Sequence, residues 1–481
     1  MKKKLLIGCG GLTLATVGIG LAGLYYFVKP VMDSLAHDEM VTTMFDQWSD
    51  EEKATALAAL MDGKCAMCHT STAKPVAILD TLSGGLQSRD IIGAQRAFLL
   101  DADPSIRTKQ VDLLKMDRVL TKRSMPPAQY TIMHWGDMMS DEDIKLMRSK
   151  YSEAEANKLR FAAIADKGIS PEEADKVLLG HMLYVDKRLS SDNTISCASC
   201  HDLTKGGTDN AEKSEGVYKD GKPQYGGVNA PTNFNAEGHI AQFWDGRAAD
   251  LKAQAGGPPL NPVEMGYAVE SDWGLIAGKL KQDPAITALF DKVYGGAGIT
   301  GETITDAIAA FEKTLVTPDS PFDRYLKGDK SAMTEQQVRG MESYVEFGCA
   351  TCHSGPTMGG QSFEFIHTFA DLRALLPQGD KDAARGRVEC SKDDKHTDMF
   401  RVPTLRNVAL TAPYFHTGSV TELKQAVQAM LQTQSDASYS PEQLEDITAF
   451  LNAQTGQYKG KSLDQLTPAD VAPAPAPTPA P

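Results

Sequence analysis

Positive charge is in deficit in this sequence. Its 481 residues include 49 lysine and arginine residues but 63 aspartate and glutamate residues, which gives a formal net charge of −14. This balance argues against a nucleic-acid-binding protein, because the phosphates would be repelled. It is compatible with a basic soluble protein as a partner. Strand-like alternation of apolar and polar residues is also scarce, and we therefore expect a mainly α-helical fold with long loops.

Cysteine is equally sparse, and its placement is informative. Six of the eight cysteines fall into three copies of one motif: "CAMCH" ending at His69, "CASCH" ending at His201 and "CATCH" ending at His353. Cysteines at this spacing reach the two vinyl groups of a haem, and the adjacent histidine offers its ring to the iron. A redox pair or half a zinc site does not explain a histidine directly after every second cysteine. The motifs predict three covalent c-type haems, attached through Cys65, Cys68, Cys197, Cys200, Cys349 and Cys352.

The N-terminus lacks charge from Leu5 to Val28, directly after three lysines. These residues would make about 36 Å of helix, enough to cross a hydrocarbon core of about 30 Å. A cleaved signal peptide fits less well because the run is long and ends in aromatic residues, and only four apolar residues precede Cys9 in a lipoprotein reading. We predict one anchor in a bacterial inner membrane, with the remaining chain in the periplasm, where haem is attached covalently.

Capping signals divide the chain into domains. Ser49 with Glu52, Ser170 with Glu173, and Thr334 with Gln337 predict helix starts ahead of the three motifs. Further helices are predicted to start at Ser140 and at Ser440, the latter with proline at its first helical position. The predicted division is an anchor (1–29), three haem domains (30–165, 166–330 and 331–458) and an extended Pro/Ala-rich tail (459–481).

An electron-transfer haem needs a second axial ligand, usually methionine or histidine. For the first haem the prediction is Met125, because the two prolines that follow it stiffen its loop. The alternatives near it are Met133, His134, Met138 and Met139. For the third haem Met430 and Met399 are both candidates, and their sequence patterns do not separate them.

Residues 166 to 455 resemble the bacterial di-haem cytochrome c peroxidase family, which includes the MauG-type enzymes. The resemblance lies in long stretches that occur in family order, among them "CASCHDLTKGGTDN", "AQFWDGRAADLKAQAGGPPLNPVEM" and "FRVPTLRNVALTAPYFHTGSV". The additional N-terminal haem domain resembles the tri-haem members, described as membrane-bound quinol peroxidases. The resemblance implies reduction of hydrogen peroxide to water, with electrons from a membrane quinol or a c-type cytochrome. A homodimer is left open.

By position, the resemblance makes the haem of His201 the peroxidatic one and the haem of His353 the electron-transfer one, with Met430 as its distal ligand. Electrons would pass from the first haem, held by His69 and Met125, to the His353 haem and then to the His201 haem.

The resemblance also implies residue roles around the peroxide. Glu264 and Gln254 match residues that line the family's peroxide pocket, where a carboxylate can move a proton between the two oxygens and an amide can orient the substrate. Trp244 matches a tryptophan between the two haems. An inter-haem Ca²⁺ site with oxygen ligands is implied as well, formed by Asn229 and the backbone carbonyls of Thr411 and Pro413.

One departure concerns the distal side of the His201 haem. Many family members carry a histidine in the loop after "GGTDN" that caps this iron, but Val217 stands there, and no histidine occurs between His201 and His239. We favour an iron that is permanently open. The alternatives are a phenolate from Tyr218 or Tyr225, or His239 reaching in from outside the loop.

Two rival functions follow from the same motifs. One is a pure electron-transfer cytochrome, and the other is a MauG-like oxidase of a protein substrate. The second is disfavoured because MauG-type members use a tyrosine where Met430 stands here. Cys390, in a predicted loop, has no partner thiol outside the membrane and is predicted to be an unreactive free cysteine.

Overall fold

The computed structural model describes residues 109–122, 141–150, 152–166, 168–376, 385–435 and 437–475. The chain divides into two compact units, one ending at Ala156 and the other comprising Asn157–Pro481 together with Asp103–Leu114. Several predictions lie outside the described residues: the membrane anchor, the first haem motif (Cys65, Cys68 and His69) and Met125 with its alternatives. Within the described ranges, no helix is long and apolar enough to cross a membrane.

The described helices before residue 161 are α1 (Lys109–Lys122), α2 (Asp141–Lys150) and α3 (Glu153–Arg160). Helix α2 begins directly after Ser140, as its capping signal predicts. Arg148 on α2 forms an ion pair with Asp117 on α1 and donates a hydrogen bond to Thr121. The pair joins α2 to the C-terminal part of α1.

The second unit is mainly α-helical, which confirms the predicted class. Its helices are α4 (Ala174–Tyr184), α5 (Cys197–Cys200), α6 (Leu251–Ala255), α7 (Trp273–Leu280), α8 (Pro284–Tyr294), α9 (Gly301–Glu312), α10 (Pro321–Leu326), α11 (Glu335–Glu346), α12 (Cys349–Cys352), α13 (Leu372–Leu375), α14 (Val388–Ser391), α15 (Leu423–Gln434) and α16 (Pro441–Asn452). Its strands form three antiparallel pairs: β1 (Glu215–Lys219) with β2 (Lys222–Tyr225), β3 (Phe363–Phe365) with β4 (Met399–Arg401), and β5 (Gln457–Tyr458) with β6 (Lys461–Ser462).

Two of the predicted helix starts in this unit are confirmed and one differs. Thr334 caps α11 and Ser440 caps α16, each through its side-chain oxygen. Ser170 does not cap α4, which begins later, at Ala174. Its hydroxyl instead donates to the Glu173 carboxylate at 2.9 Å, so the pair closes the turn before the helix.

Two helix pairs form the frame of the second unit, α4 with α9 and α11 with α16. We call the parts they enclose the His201 half (Ala174–Glu312) and the His353 half (Glu335–Asn452). A glycine lies at each crossing, where an added Cβ would sit 1.9 Å from the carbonyl oxygen of Ala307 at Gly180, and 1.8 Å from that of Asp446 at Gly340. Only glycine allows the two backbones to approach so closely.

The aromatic packing next to these crossings is also duplicated. Tyr184 packs edge-on against Phe311, with ring centroids 5.1 Å apart and planes at 62°. Tyr344 packs against Phe450 at 5.2 Å and 63°. All four side chains are almost fully buried, so each half has an aromatic pair of the same geometry beside its haem motif.

The segment that leads into the second unit is held by the His353 half. The ring of Phe161 packs edge-on against Phe450 with centroids 6.3 Å apart, and the carbonyl of Arg160 accepts a hydrogen bond from the N–H of Gly355 at 3.1 Å. Only Ser354 separates Gly355 from His353. Residues 160 and 161, which precede the His201 half in the sequence, therefore pack near the haem motif of the His353 half.

The end of the chain also differs from expectation. The sequence predicts a Pro/Ala-rich tail from residue 459 that is extended over 467–481, but the chain folds back onto the His201 half as far as Val471. Tyr458 packs on Phe234 with centroids 5.6 Å apart, and Leu463 is fully buried. His181 Nε2 lies 2.9 Å from the carbonyl oxygen of Val471. These apolar anchors precede the Pro/Ala run, which is why composition alone misses them.

Candidate active site

The two described haem motifs are single helical turns. Cys197 and Cys200 lie at the ends of α5, and Cys349 and Cys352 lie at the ends of α12. None of the four forms a disulfide. One turn of helix places both sulfur atoms on the same side of the chain, as attachment to the two vinyl groups of one haem requires.

Each motif histidine is oriented by a backbone carbonyl. His201 Nδ1 lies 3.3 Å from the oxygen of Gly207, and His353 Nδ1 lies 3.0 Å from that of Pro403. A ring that donates through Nδ1 leaves Nε2 as the iron ligand. Burial lowers the pKa of His353 to about 4 and also lowers the pKa of His201, so both rings are neutral, as ligation demands.

The backbone of each motif is tied to the helix frame by a tyrosine. The Tyr344 hydroxyl donates to the carbonyl of His353 at 2.8 Å, and the Tyr184 hydroxyl donates to the carbonyl of His201. The aromatic pairs at the helix crossings therefore also position the two haem ligands.

A large cavity lies next to His353, and we call it the His353 cavity. It has an empty volume of about 1630 Å³, which includes its opening to solvent. Cys349, Cys352 and His353 line it from one side, and Met430 on α15 lines it from another. Met399, the alternative ligand, is instead buried on β4 in a cluster with Phe363 and Ala241. The fold thus brings Met430, and not Met399, to the cavity that contains His353.

The wall of this cavity suits the anionic groups of a haem. Arg401 is only 3% exposed, and no carboxylate among the described residues pairs with it. It donates to the carbonyl of Phe243 at 3.1 Å and contacts His239 Nδ1 at 2.9 Å. His239 Nε2 is buried without a hydrogen-bond partner in the described structure. A buried cation needs a counter-charge, and the two propionates of a haem carry one each.

His239 therefore has a different place from the one proposed for it as a cap. It lies in the wall of the His353 cavity, beside Arg401. The other proposed caps, Tyr218 and Tyr225, lie on the β1–β2 hairpin with about half of each side chain exposed, at 51% and 52%. Solvent-exposed phenols need a rearrangement of the hairpin to reach a buried iron.

The residues predicted to lie between the haems line the same cavity, and the Arg401 N–H donates to the carbonyl of Trp244 at 2.8 Å. Trp244, Asn229, Thr411 and Pro413 all line it. The Trp244 indole N–H donates to the carbonyl of Asn229 at 2.9 Å, and the Asn229 side-chain amide donates to Ala211 at 2.8 Å. Trp244 is thus hydrogen-bonded to one expected calcium ligand, Asn229, and the other two, Thr411 and Pro413, line the same cavity.

His416 packs against two residues of this wall, Phe400 and Trp244, and was missed by the sequence reasoning. Its ring stacks on Phe400 with centroids 4.2 Å apart and meets Trp244 edge-on at 6.2 Å. Burial lowers the pKa of His416 to about 4, which leaves a neutral ring. The signal was present in "PYFHTG", where a histidine stands three residues after Pro413, a predicted calcium ligand.

Glu264 is associated with the His201 half. Its carboxylate acts electrostatically on Cys200 of the haem motif. Burial raises the pKa of Glu264, and the nearby Arg247 guanidinium opposes this rise. Arg247 in turn lies over the ring of Phe243, 3.6 Å from its centroid. Gln254, the predicted partner of Glu264, is partly buried on α6, whose N-cap is Asp250.

Val217 is part of a strand rather than of a loop. It is 5% exposed, and its N–H donates to the carbonyl of Glu264 at 3.0 Å. At the preceding Gly216, a Cβ would lie 1.9 Å from the carbonyl oxygen of Val263. Strand β1 is therefore fixed against the segment that carries Glu264, with an aliphatic side chain at the position where the family resemblance leads to the expectation of histidine.

Cys390 lies on α14 and not in a loop. Its thiol donates to the carbonyls of Asp245 and Arg387, both at 3.3 Å. Burial raises the pKa of the thiol, which disfavours the reactive thiolate.

Comparison with known proteins agrees with this geometry. Residues 174–331 match the di-haem cytochrome c peroxidase family, and residues 26–153 match a haem-binding domain. Cytochrome c peroxidase Ccp of Escherichia coli is 39% identical over 477 residues, which cover 94% of this chain and 96% of that protein. Cytochrome c551 peroxidase of Pseudomonas aeruginosa is 43% identical, over 58% of this chain and 78% of that protein.

The MauG-type proteins are more distant. Methylamine utilization protein MauG of Paracoccus denitrificans is 32% identical over 53% of this chain and 74% of its own length. The crystal structure of a MauG-like protein associated with microbial copper homeostasis has a TM-score of 0.52 and 26% identity, covering 62% of this chain and 93% of its own. The chain belongs to the di-haem cytochrome c peroxidase family and is a c-type haem peroxidase, which confirms the predicted enzyme class.

Proposed function

We propose that this protein reduces hydrogen peroxide to water at the His201 half and receives the electrons through the His353 half. The observation that carries the proposal is an asymmetry. Met430 shares the cavity of His353, whereas the surroundings of His201 include the carboxyl group of Glu264 and the aliphatic Val217. A haem with two protein ligands passes electrons, and a haem with an open face exchanges them with a bound small molecule.

Glu264 is the proton carrier in this proposal. As a carboxylate it takes a proton from one peroxide oxygen, and as an acid it returns that proton to the other oxygen as water leaves. Burial raises the pKa of Glu264 while Arg247 lowers it, and a pKa closer to neutrality suits a group that must both accept and donate. Gln254 orients the peroxide through its amide.

Trp244 connects the two halves. Its indole is 8% exposed, is held through its N–H by Asn229 and lines the His353 cavity. We propose that electrons cross from the His353 half to the His201 half beside this ring. A Ca²⁺ ion bound by Asn229 and the carbonyls of Thr411 and Pro413 would stiffen the same wall.

The N-terminal domain supplies a third haem in the proposed protein, held by Cys65, Cys68, His69 and Met125. The match of residues 26–153 to a haem-binding domain supports this assignment, as does the alignment of the E. coli relative to nearly the full chain. In this proposal the electrons pass from this haem to the His353 haem first. We further propose that Leu5–Val28 anchors the chain to the inner membrane with its haem domains in the periplasm.

The electron donor is proposed to be a membrane quinol, because an anchored first haem stays close to the lipid phase, with a c-type cytochrome as the alternative. The test uses the full-length holoprotein in detergent, supplied with peroxide and either a soluble quinol or reduced cytochrome c. Peroxide-dependent oxidation of the quinol is the expected result. Oxidation of the cytochrome alone would exclude the quinol, and no peroxide-dependent oxidation of either donor would contradict the proposed function.

A further inference from the structure

The duplicated frame places two different residues at one equivalent position. Phe311 on α9 and Phe450 on α16 pack against the corresponding tyrosines of the two halves with nearly the same geometry. The next residue along each helix is Glu312 in the His201 half and Leu451 in the His353 half. Leu451 lines the His353 cavity together with the haem motif. By the equivalence of the two frames, Glu312 faces the haem motif of the His201 half.

The contacts of Glu312 agree with this placement. Its side chain acts electrostatically on Cys197 of the haem motif and on Tyr184, which holds His201. The residue is 6% exposed, and Oε2 is buried without a hydrogen-bond partner in the described part of the chain. A buried, unpartnered carboxyl group costs free energy of folding. A functional role would explain why Glu312 stands where the other half has Leu451.

The surroundings of Glu312 leave its charge uncompensated. The titratable groups that face it are Tyr184 from α4 and Cys197 from α5. Burial keeps the pKa of Tyr184 well above its usual range, and Cys197 becomes an uncharged thioether when a haem is attached. Burial also raises the pKa of Glu312 to about 8. The protonation of a carboxyl group with such a pKa responds to a change of charge nearby.

We propose that Glu312 binds one proton when an electron arrives at the His201 site and releases it when that electron leaves. The electron comes from the donor and the proton from solvent, so the charge of the buried site stays constant through each cycle. When peroxide takes up the electrons, the protons given up by Glu312 return to solvent. This inference rests on the proposed role of His201 as a redox site. Glu312 balances the charge of that site and does not touch peroxide.

The test is a reductive titration of the holoprotein followed by electron paramagnetic resonance, which resolves the haems, at pH values on both sides of 8. For one proton per electron, the midpoint potential of the His201 haem falls by about 59 mV for each tenfold drop in proton activity. We expect this slope in the wild type above about pH 8, where Glu312 is ionised before the electron arrives, and a flat potential below it, where the carboxyl group already holds its proton. No slope is expected in Glu312→Gln or Glu312→Leu. Glu302→Gln, an exposed glutamate on the same helix, is the matched control and keeps the slope.

A second measurement is the redox-difference infrared spectrum, in which a carboxylic C=O band should be present in the wild type and missing in Glu312→Gln. A wild-type slope that persists in Glu312→Gln would overturn the inference, and so would a wild-type potential that does not change with pH. Peroxide turnover of the same preparations separates this failure from that of the proposed function. If the wild type turns over peroxide but Glu312→Gln keeps the pH slope, only the role of Glu312 is refuted. If Glu312→Gln loses the slope but the wild type does not turn over peroxide, the role of Glu312 is supported and the peroxidase site is refuted.

Discussion

In the His201 half and in the His353 half, a glycine lets two helices cross, an aromatic pair fills the crossing, and a tyrosine hydroxyl holds the backbone of a haem-binding histidine. The two halves differ in what lies beside the haem motif. Met430 and Leu451 line the cavity of His353, whereas the carboxyl groups of Glu264 and Glu312 act on Cys200 and Cys197 of the other motif. A common frame thus holds two haem motifs in different surroundings, and the proposed function assigns a different chemistry to each.

The largest expected effect comes from removing the proton carrier of the His201 half. Glu264→Gln should lower kcat for peroxide by about 10² to 10⁴-fold, the usual contribution of a general acid or base, because the amide cannot accept the proton. Steady-state peroxide turnover measures this. Glu270→Gln, an exposed neighbour on the same segment, should retain wild-type kcat. A Glu264→Gln variant with wild-type kcat would remove Glu264 from the mechanism.

The second prediction makes the His353 half resemble the other half. Met430→Ala should convert one low-spin haem signal into a high-spin signal and slow electron delivery to His201, because the cavity loses its only proposed thioether ligand. Electron paramagnetic resonance and stopped-flow reduction measure both effects. Met399→Leu is the control, since Met399 is buried elsewhere. Loss of the low-spin signal in Met399→Leu instead would reverse the assignment.

The shared frame can be broken in either half separately. Gly180→Ala and Gly340→Ala should each lower the free energy of unfolding by about 1–3 kcal/mol, since the new methyl group overlaps a carbonyl oxygen of the crossing helix. Gly278→Ala on α7 has open space around it and should raise that free energy by about 0.5–1 kcal/mol. Urea denaturation measures all three. Equal stability of the two frame variants and the wild type would show that the crossings tolerate a side chain.

The smallest expected effect is a shift of a pH profile. The Arg247 guanidinium lowers the pKa of Glu264, so Arg247→Gln should raise that pKa. Glu264 must be ionised to accept a proton, and activity falls as the pH drops through its pKa. The acidic limb of kcat/KM should therefore move to higher pH in the variant. The shift should be small because Arg247 is 46% exposed and its charge is screened. A move to lower pH would contradict this reading.

The parts of the site that the sequence predicts are those with a local chemical signature. The CxxCH turns need only neighbouring residues, and the predicted cap of α11 at Thr334 needs only the next turn of helix. The family resemblance contributed the choice of Met430 over Met399 and the positions of Trp244 and Glu264. The roles of these residues follow from the match of long segments to the family, and a helix or strand period in the sequence does not identify them.

The remaining features depend on tertiary packing and have no local signature. Glu312 resembles any helical glutamate until α9 crosses α4 and its end is buried. Arg401 and His239 are far apart in sequence and meet only because β4 lies beside the loop of His239. The folded C-terminal segment was missed because its few apolar residues, Leu463, Leu466 and Val471, are scattered in a polar stretch.

The central claim is that the two halves differ on the face opposite the histidine. Electron paramagnetic resonance of the isolated, fully oxidised holoprotein, before and after addition of peroxide, tests it most directly. The account predicts one high-spin haem, assigned to His201 by its loss in His201→Ala, which responds to peroxide without prior reduction, and low-spin signals for the others. Low-spin signals for every haem, unchanged by peroxide in the oxidised and the reduced protein, would contradict it.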